Sequence, residues 1–293
     1  MSQIGHFYAY GEQQCIDDRF ADIGGNAIVY LYPNGYSDII CASDKHFHPP
    51  GWESAEDYAR QGRDGPAPAK REKGKKAEGD DMLRSMRRAR AKLRRLALSN
   101  EFQYFVTLTL DPEKIDRYNG AAVTRALSQW CDNMVRRNGL RYILVPERHE
   151  DGAFHFHGFF AGEGLQVVDS GTVSMAGWCK PRRPRSEAER AAWLAAGGRI
   201  VYNLPQWKLG FTTASVLYGE YGAAVAYCCK YVGKQQGERP LGRWYYSGGA
   251  LAEPEKVYTT LDYRGLVEDF GDNAVELDIP GSKLLVIHNR TEV

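Results

Sequence analysis

A chain of 293 residues with 43% hydrophobic and 26% charged content is long enough for a substantial core and too apolar to be a disordered polyelectrolyte. Its net charge of +1 singles out no partner. No apolar run is long enough to span a bilayer, and the N-terminus lacks a signal-peptide pattern. Six cysteines without a CxxC pair exclude a regular disulfide framework or zinc knuckle. A cytoplasmic protein with reduced thiols and no membrane partner is expected.

The first strand pair falls at Ala27 to Tyr32 and Ser37 to Cys41, joined by the turn Pro33-Asn34-Gly35. It gives residues 1–46 the character of an N-terminal β-hairpin region. Residues 47–79 are rich in Pro, Gly and charge and read as a flexible linker. A helix follows over 81–99. Met82, Met86, Ala89, Leu93 and Leu96 form one stripe, with a one-signed basic face opposite. Such a face is either simply solvated or a phosphate-binding stripe, with Arg87, Arg88, Arg94 and Arg95 as its candidates.

The run Phe102 to Leu110 is aromatic and β-branched, as a strand requires, and Asp111-Pro112 ends it. A helix is predicted from Ala121 to Asn138, with Gly139 as its stop. Strands at Arg141 to Pro146 and Ala153 to Phe160 flank Glu150-Asp151-Gly152 and should form a hairpin. Residues 163–209 look like an insertion carrying a basic loop with Arg182, Arg183 and Arg185, a short helix near 186–196, and a strand at 199–202. A strand end at Phe211 to Thr213, a helix from Tyr221 to Gln235 and a strand at Arg243 to Tyr246 complete a core domain of residues 80–250. Residues 251–293 are a C-terminal β extension, with a strand at Lys283 to Ile287. The core is expected to be α+β: a mainly antiparallel sheet with helices on one face, like an RNA-recognition-motif fold.

Two segments carry chemistry. In Phe154-His155-Phe156-His157-Gly158-Phe159-Phe160 the histidines are two apart on a strand, so both point to one face. Two imidazoles at this spacing can hold one divalent ion. The pattern alone is not specific, because His46-Phe47-His48 repeats it outside any strand signal. Glu147 ends the partner strand and is the expected third ligand, with His149, Glu150 and Asp151 as fallbacks. In Tyr227-Cys228-Cys229-Lys230-Tyr231 the tyrosines are i and i+4 on a helix, with Lys230 and Lys234 on the adjoining side. Alone, such a helix more often packs its aromatics into a core. A cation beside the phenols would favour phenolate and a nucleophilic role.

The order Phe105-Val106-Thr107-Leu108-Thr109, then His155-Phe156-His157, then Tyr227 to Tyr231 resembles the three motifs of HUH endonucleases, the rolling-circle replication initiators. The two-tyrosine form resembles the branch found in filamentous phages, microviruses and some plasmids. The resemblance covers roughly residues 100–249, about half the chain and most of what would be an HUH endonuclease domain. It implies that His155 and His157 bind Mg²⁺ or Mn²⁺, that Tyr227 and Tyr231 attack DNA, and that Lys230 assists. It also implies single-stranded origin DNA as substrate, a 5′-phosphotyrosine intermediate, and a bacterial host cell supplying the polymerase. No GxxxxGK[ST] loop is present, so a separate host helicase is expected. The flanking arginines, Lys234 and the aromatics Tyr245 and Tyr246 are candidate DNA contacts. A transposase or relaxase with the same chemistry, and a non-catalytic nucleic-acid-binding module, are the competing readings.

Overall fold

The computed structural model describes residues 6–9, 12–15, 25–33, 35–49, 79–217, 221–234, 239–271, 274–279 and 281–290. Most of the expected linker, residues 50–78, lies outside the described residues. In chain order the first elements are β1 (His6–Ala9), β2 (Glu12–Cys15), β3 (Ala27–Leu31), β4 (Tyr36–Ala42), α1 (Gly79–Leu98) and β5 (Tyr104–Leu110). Then come α2 (Gly120–Asn138), β6 (Arg141–Arg148), β7 (Phe154–Ala161), β8 (Val168–Ser174), α3 (Glu187–Ala195), β9 (Arg199–Asn203) and β10 (Gly210–Val216). The last are α4 (Tyr221–Tyr231), β11 (Tyr246–Gly248), β12 (Glu255–Thr259), α5 (Tyr263–Phe270), β13 (Ala274–Ile279) and β14 (Ser282–Arg290). No helix among the described residues is long and apolar enough to cross a membrane.

The chain divides into two compact units. The first comprises Met1–Lys76 and Pro254–Val293. Its main sheet is antiparallel, in the order β12-β3-β4-β14-β13, so strands from both ends of the chain alternate within one layer. Alternate residues Ala27, Val29, Ile39, Cys41, Leu285 and Ile287 face a core closed by Leu266 of α5. The buried carboxylate of Asp38 accepts from the Tyr32 hydroxyl at 2.7 Å and lies 2.7 Å from His288 Nδ1.

The second unit, Ala77–Glu253, is built on a seven-stranded antiparallel sheet ordered β11-β6-β7-β5-β10-β9-β8. The α+β class and the antiparallel core are as the sequence predicts. On one face Phe154, Phe156 and Phe160 meet Val106, Leu108 and Leu110, and α2 covers them with Val123, Leu127, Cys131 and Met134. Fully burying a large apolar side chain contributes about 1.5–3 kcal/mol, so this face dominates the stability of the unit. The Asn119 side chain caps α2 by accepting from Ala121 and Ala122 N–H, and Gly139 ends it in the left-handed conformation. The expected single helical face holds for α2. By contrast, α4 lies against β6 and β7 from the other side, with α1 packed on α4. The segment read as an insertion contributes β8 and β9 to the sheet edge, and β8 has no clear signal in the sequence. Tyr246 is not available for stacking on DNA: it is buried in the α2-side core and its hydroxyl donates to the Leu241 carbonyl.

Gly158 sets the spacing of the central strands. A Cβ there would lie 1.8 Å from the Ile143 carbonyl oxygen and 2.9 Å from Leu144 Cα. Those atoms are backbone of β6 and cannot rotate away. Gly158→Ala is therefore expected to destabilise the protein by about 3 kcal/mol or more, read as a fall in denaturant midpoint. Gly152→Ala at the hairpin turn meets nothing within 4 Å and carries only left-handed strain (φ +84), about 1–2 kcal/mol. A Gly158→Ala loss no larger than that at Gly152 would refute the account.

Candidate metal centre and tyrosine pair

Register places the polar residues of three strands in one row. Glu147 on β6 pairs with His155 on β7, which pairs with Thr109 on β5. One pair along, His157 stands between Val145 and Thr107. Because alternate residues share a face, Glu147, His155 and His157 point away from the α2-side core, as the hairpin and the histidine spacing predict.

Glu147 is 6% exposed, and its Oε2 lies 3.0 Å from both His155 Nε2 and His157 Nε2. The three ligand atoms fall within 4.8 Å of one another, so the cluster can hold a metal ion. Burial raises the Glu147 carboxyl pKa, but hydrogen bonds from His155, His157 and Lys234 outweigh it and hold the group well below the usual carboxylate range. Burial depresses His157 more than the Glu147 hydrogen bond raises it, which favours the neutral imidazole a cation requires.

His157 is oriented from behind. Its Nδ1 lies 3.0 Å from Thr107 Oγ1. With the proton on Nδ1 donated to the threonine oxygen, the Nε2 lone pair faces the cluster. Thr107→Val keeps the shape and removes the acceptor. Its expected effect is a 10–100-fold loss of Mn²⁺ affinity, measured by titration calorimetry with an unchanged fold. Wild-type affinity in this variant would show that the threonine does not orient the ring.

Helix α4 brings the tyrosines to the same place. The Tyr231 ring stacks on the His157 ring at 4.2 Å and 19°. Its hydroxyl donates to Tyr227 Oη at 2.5 Å. The Tyr227 ring meets Phe105 of β5 edge-on at 5.8 Å and is 48% exposed. Burial, then the bond to Tyr227, pushes the Tyr231 phenol pKa up. The two cysteines between the tyrosines serve packing: Cys228 is buried, and Cys229 is partly buried beside the Arg90 carbonyl of α1.

Lys234, expected to touch DNA, donates from Nζ to Glu147 Oε1 at 2.6 Å and lies over the Tyr231 ring at 5.4 Å. Lys230, expected to assist the tyrosines, is exposed. The spacing held a signal for this, since Tyr227, Tyr231 and Lys234 are i, i+4 and i+7. Gly233 makes the turn possible. It has φ +78, and a Cβ there would lie 2.0 Å from Met86 Sδ of α1. Arg90 Nε donates to the Val232 carbonyl and fixes the same turn from α1.

The fallback ligands stand apart from this geometry. His149 is exposed, with Nδ1 3.6 Å from Asp151, and Asp151 pairs with Arg117 at 2.9 Å. Glu150 is exposed in the turn. Among the expected DNA contacts, Arg87 and Arg88 are exposed on α1, while Arg94 and Arg95 are partly buried. Arg182 lies over the Trp178 ring, Arg183 donates to the Ser170 carbonyl, and Arg185 is exposed.

Residues 103–236 match the family model of the replication-associated protein ORF2. That stretch contains Thr107, Glu147, both histidines, both tyrosines and Lys234, and it is consistent with a rolling-circle replication initiator. No curated protein and no solved structure matches the chain.

Proposed function

We propose that this protein is a replication initiator that nicks single-stranded origin DNA by metal-dependent tyrosine transesterification and later rejoins the strand. The observation that carries the reading is a bonded pair of tyrosine hydroxyls standing directly against a Glu-His-His cluster. Two imidazoles and a carboxylate also suit redox metals. The phenols beside them and the match to a replication-associated family favour phosphoryl transfer.

The donor set fits a divalent ion: three lone-pair-bearing atoms converge from one side, leaving the other side for substrate oxygens. Mg²⁺ or Mn²⁺ held there would supply Lewis-acid stabilisation to the scissile phosphate. His155, His157 and Glu147 would hold it, and Thr107 and Lys234 would keep two of those ligands aimed. Tyr227 Oη attacks the phosphorus in line. The new phosphorus–Oη bond forms as the bond to the 3′-oxygen breaks, and the phenol proton leaves while the 3′-oxygen gains one. Bond energy is conserved, so no nucleotide triphosphate is consumed.

The tyrosines are not equivalent. Tyr227 is the more accessible, and the Tyr231 hydroxyl donates to its oxygen, favouring the developing phenolate. Tyr227 is therefore assigned the first cut and Tyr231 the second, after one round of synthesis from the free 3′ end by host polymerase behind a host helicase. Arg87, Arg88, Arg94, Arg95, Arg182, Arg183 and Arg185 are assigned to the DNA backbone. The test is a denaturing gel of the protein with labelled single-stranded DNA from its own replicon, in Mn²⁺ or chelator. A Mn²⁺-dependent covalent band is expected. Tight binding with no adduct under either condition would instead identify a non-catalytic binding module.

A further inference from the structure

The row of residues that carries the metal cluster continues beyond it. Thr109 pairs with His155 on one side and with Phe211 of β10 on the other, and Thr107 likewise joins His157 to Thr213. Directly paired residues share a face, so Glu147, His155, Thr109 and Phe211 form one line across four strands. Neighbouring strands are about 4.8 Å apart, so the Phe211 backbone lies about 10 Å from that of His155. That is within reach of a nucleotide next to a phosphate at the cluster.

Helix α4 covers this face over β6 and β7, and its Tyr227 ring reaches Phe105 on β5. Past that point the sheet is open. Phe211 is 66% exposed and Thr213 is exposed. The other face of the same strand is used in the ordinary way: Ala214 is buried, and the Thr212 hydroxyl accepts from Leu204 N–H. A lone exposed aromatic needs no explanation. This one is held flat on a sheet, in register with the reactive row, at its uncovered end. Lys208, three residues earlier, is exposed and supplies positive charge suited to a phosphate backbone.

We infer that Phe211 is a stacking platform for an unpaired DNA base adjoining the scissile phosphate. This rests on the nicking reading above and adds to it the surface that positions the strand. Stacking on an aromatic ring tolerates any base, so the site contributes affinity and register, with little sequence choice.

The test compares the full chain with Phe211→Ala and Phe211→Trp. Binding to a fluorescein-labelled oligothymidylate is measured by anisotropy in chelator, where no cleavage interferes. The same titration is run with an abasic strand of equal length. Because Phe211 is exposed, both variants should melt with the wild type. Phe211→Ala should weaken oligothymidylate binding by about five- to a hundredfold. Phe211→Trp should retain binding, and the abasic strand should bind wild type and Phe211→Ala alike.

Equal binding of oligothymidylate by wild type and Phe211→Ala would overturn the inference, as would an equal loss on both strands or no wild-type binding. The nicking reading is scored separately, by wild-type adduct formation in Mn²⁺. Adduct without a Phe211 effect removes the platform alone. A base-dependent Phe211 effect without adduct removes the nick and leaves a base-binding surface.

Discussion

A chain carrying Tyr227→Phe and Tyr231→Phe together should form no covalent adduct with single-stranded DNA while still binding Mn²⁺. Phenylalanine keeps both rings, so the stack on His157 and the edge contact with Phe105 survive. What disappears is the pair of hydroxyls, joined at 2.5 Å. Without an oxygen to attack phosphorus the reaction has no nucleophile, and the expected loss is complete. The single variants separate the two roles. Tyr227→Phe should suppress the first cut on a simple origin strand. Tyr231→Phe should slow it, because the donor to the Tyr227 oxygen is gone, yet still leave a covalent product. Removing one charge-assisting hydrogen bond of this kind costs about 1.5–3 kcal/mol, or roughly 10–150-fold in rate. An adduct of undiminished yield in the double variant would eliminate tyrosine chemistry at this site.

Glu147→Gln should lower Mn²⁺ affinity by more than about 100-fold, exceeding the loss expected from an orienting residue such as Thr107. The carboxylate is the only anion among the three ligand atoms of the cluster. It is held below its ordinary titration range by His155, His157 and Lys234 despite burial, so it is charged and available to a cation at neutral pH. The amide keeps the volume and one acceptor oxygen but removes the charge. The variant should remain folded, since no cavity is created. Calorimetric titration with Mn²⁺ reads the effect, and adduct yield should fall with it. Wild-type Mn²⁺ affinity in Glu147→Gln would displace the carboxylate from the ligand set.

The histidine strand was legible because its physics is local. Alternation places Phe154, Phe156 and Phe160 inside and the two histidines opposite, and a short hairpin brings Glu147 alongside His155. The meeting of Tyr231 with His157 was suggested only by resemblance, since no pattern within either segment specifies which face of the sheet α4 covers. Lys234 was harder still. Its arrival at Glu147 depends on where α4 stops and on the turn at Gly233 packed against Met86, both decided by a helix far earlier in the chain. Thr107 was read as part of a structural strand, because its contact with His157 appears only once the register of β5 and β7 is known. Phe211 was read only as part of a strand end, because an exposed aromatic acquires meaning from its neighbours on adjoining strands.

The alternation of β3 and β4 with β12, β13 and β14 has a consequence for biosynthesis. The five-stranded sheet of the first unit cannot close until the last strands have left the ribosome. The second unit is complete in the chain by Glu253, before any of those strands is made. Since domains generally fold as units during synthesis, the reactive unit should mature first, while its N-terminal neighbour waits for its partners. A stalled or truncated translation product ending near Glu253 would then already hold the histidines, the glutamate and both tyrosines in folded form, with the strands of β3 and β4 still unsatisfied.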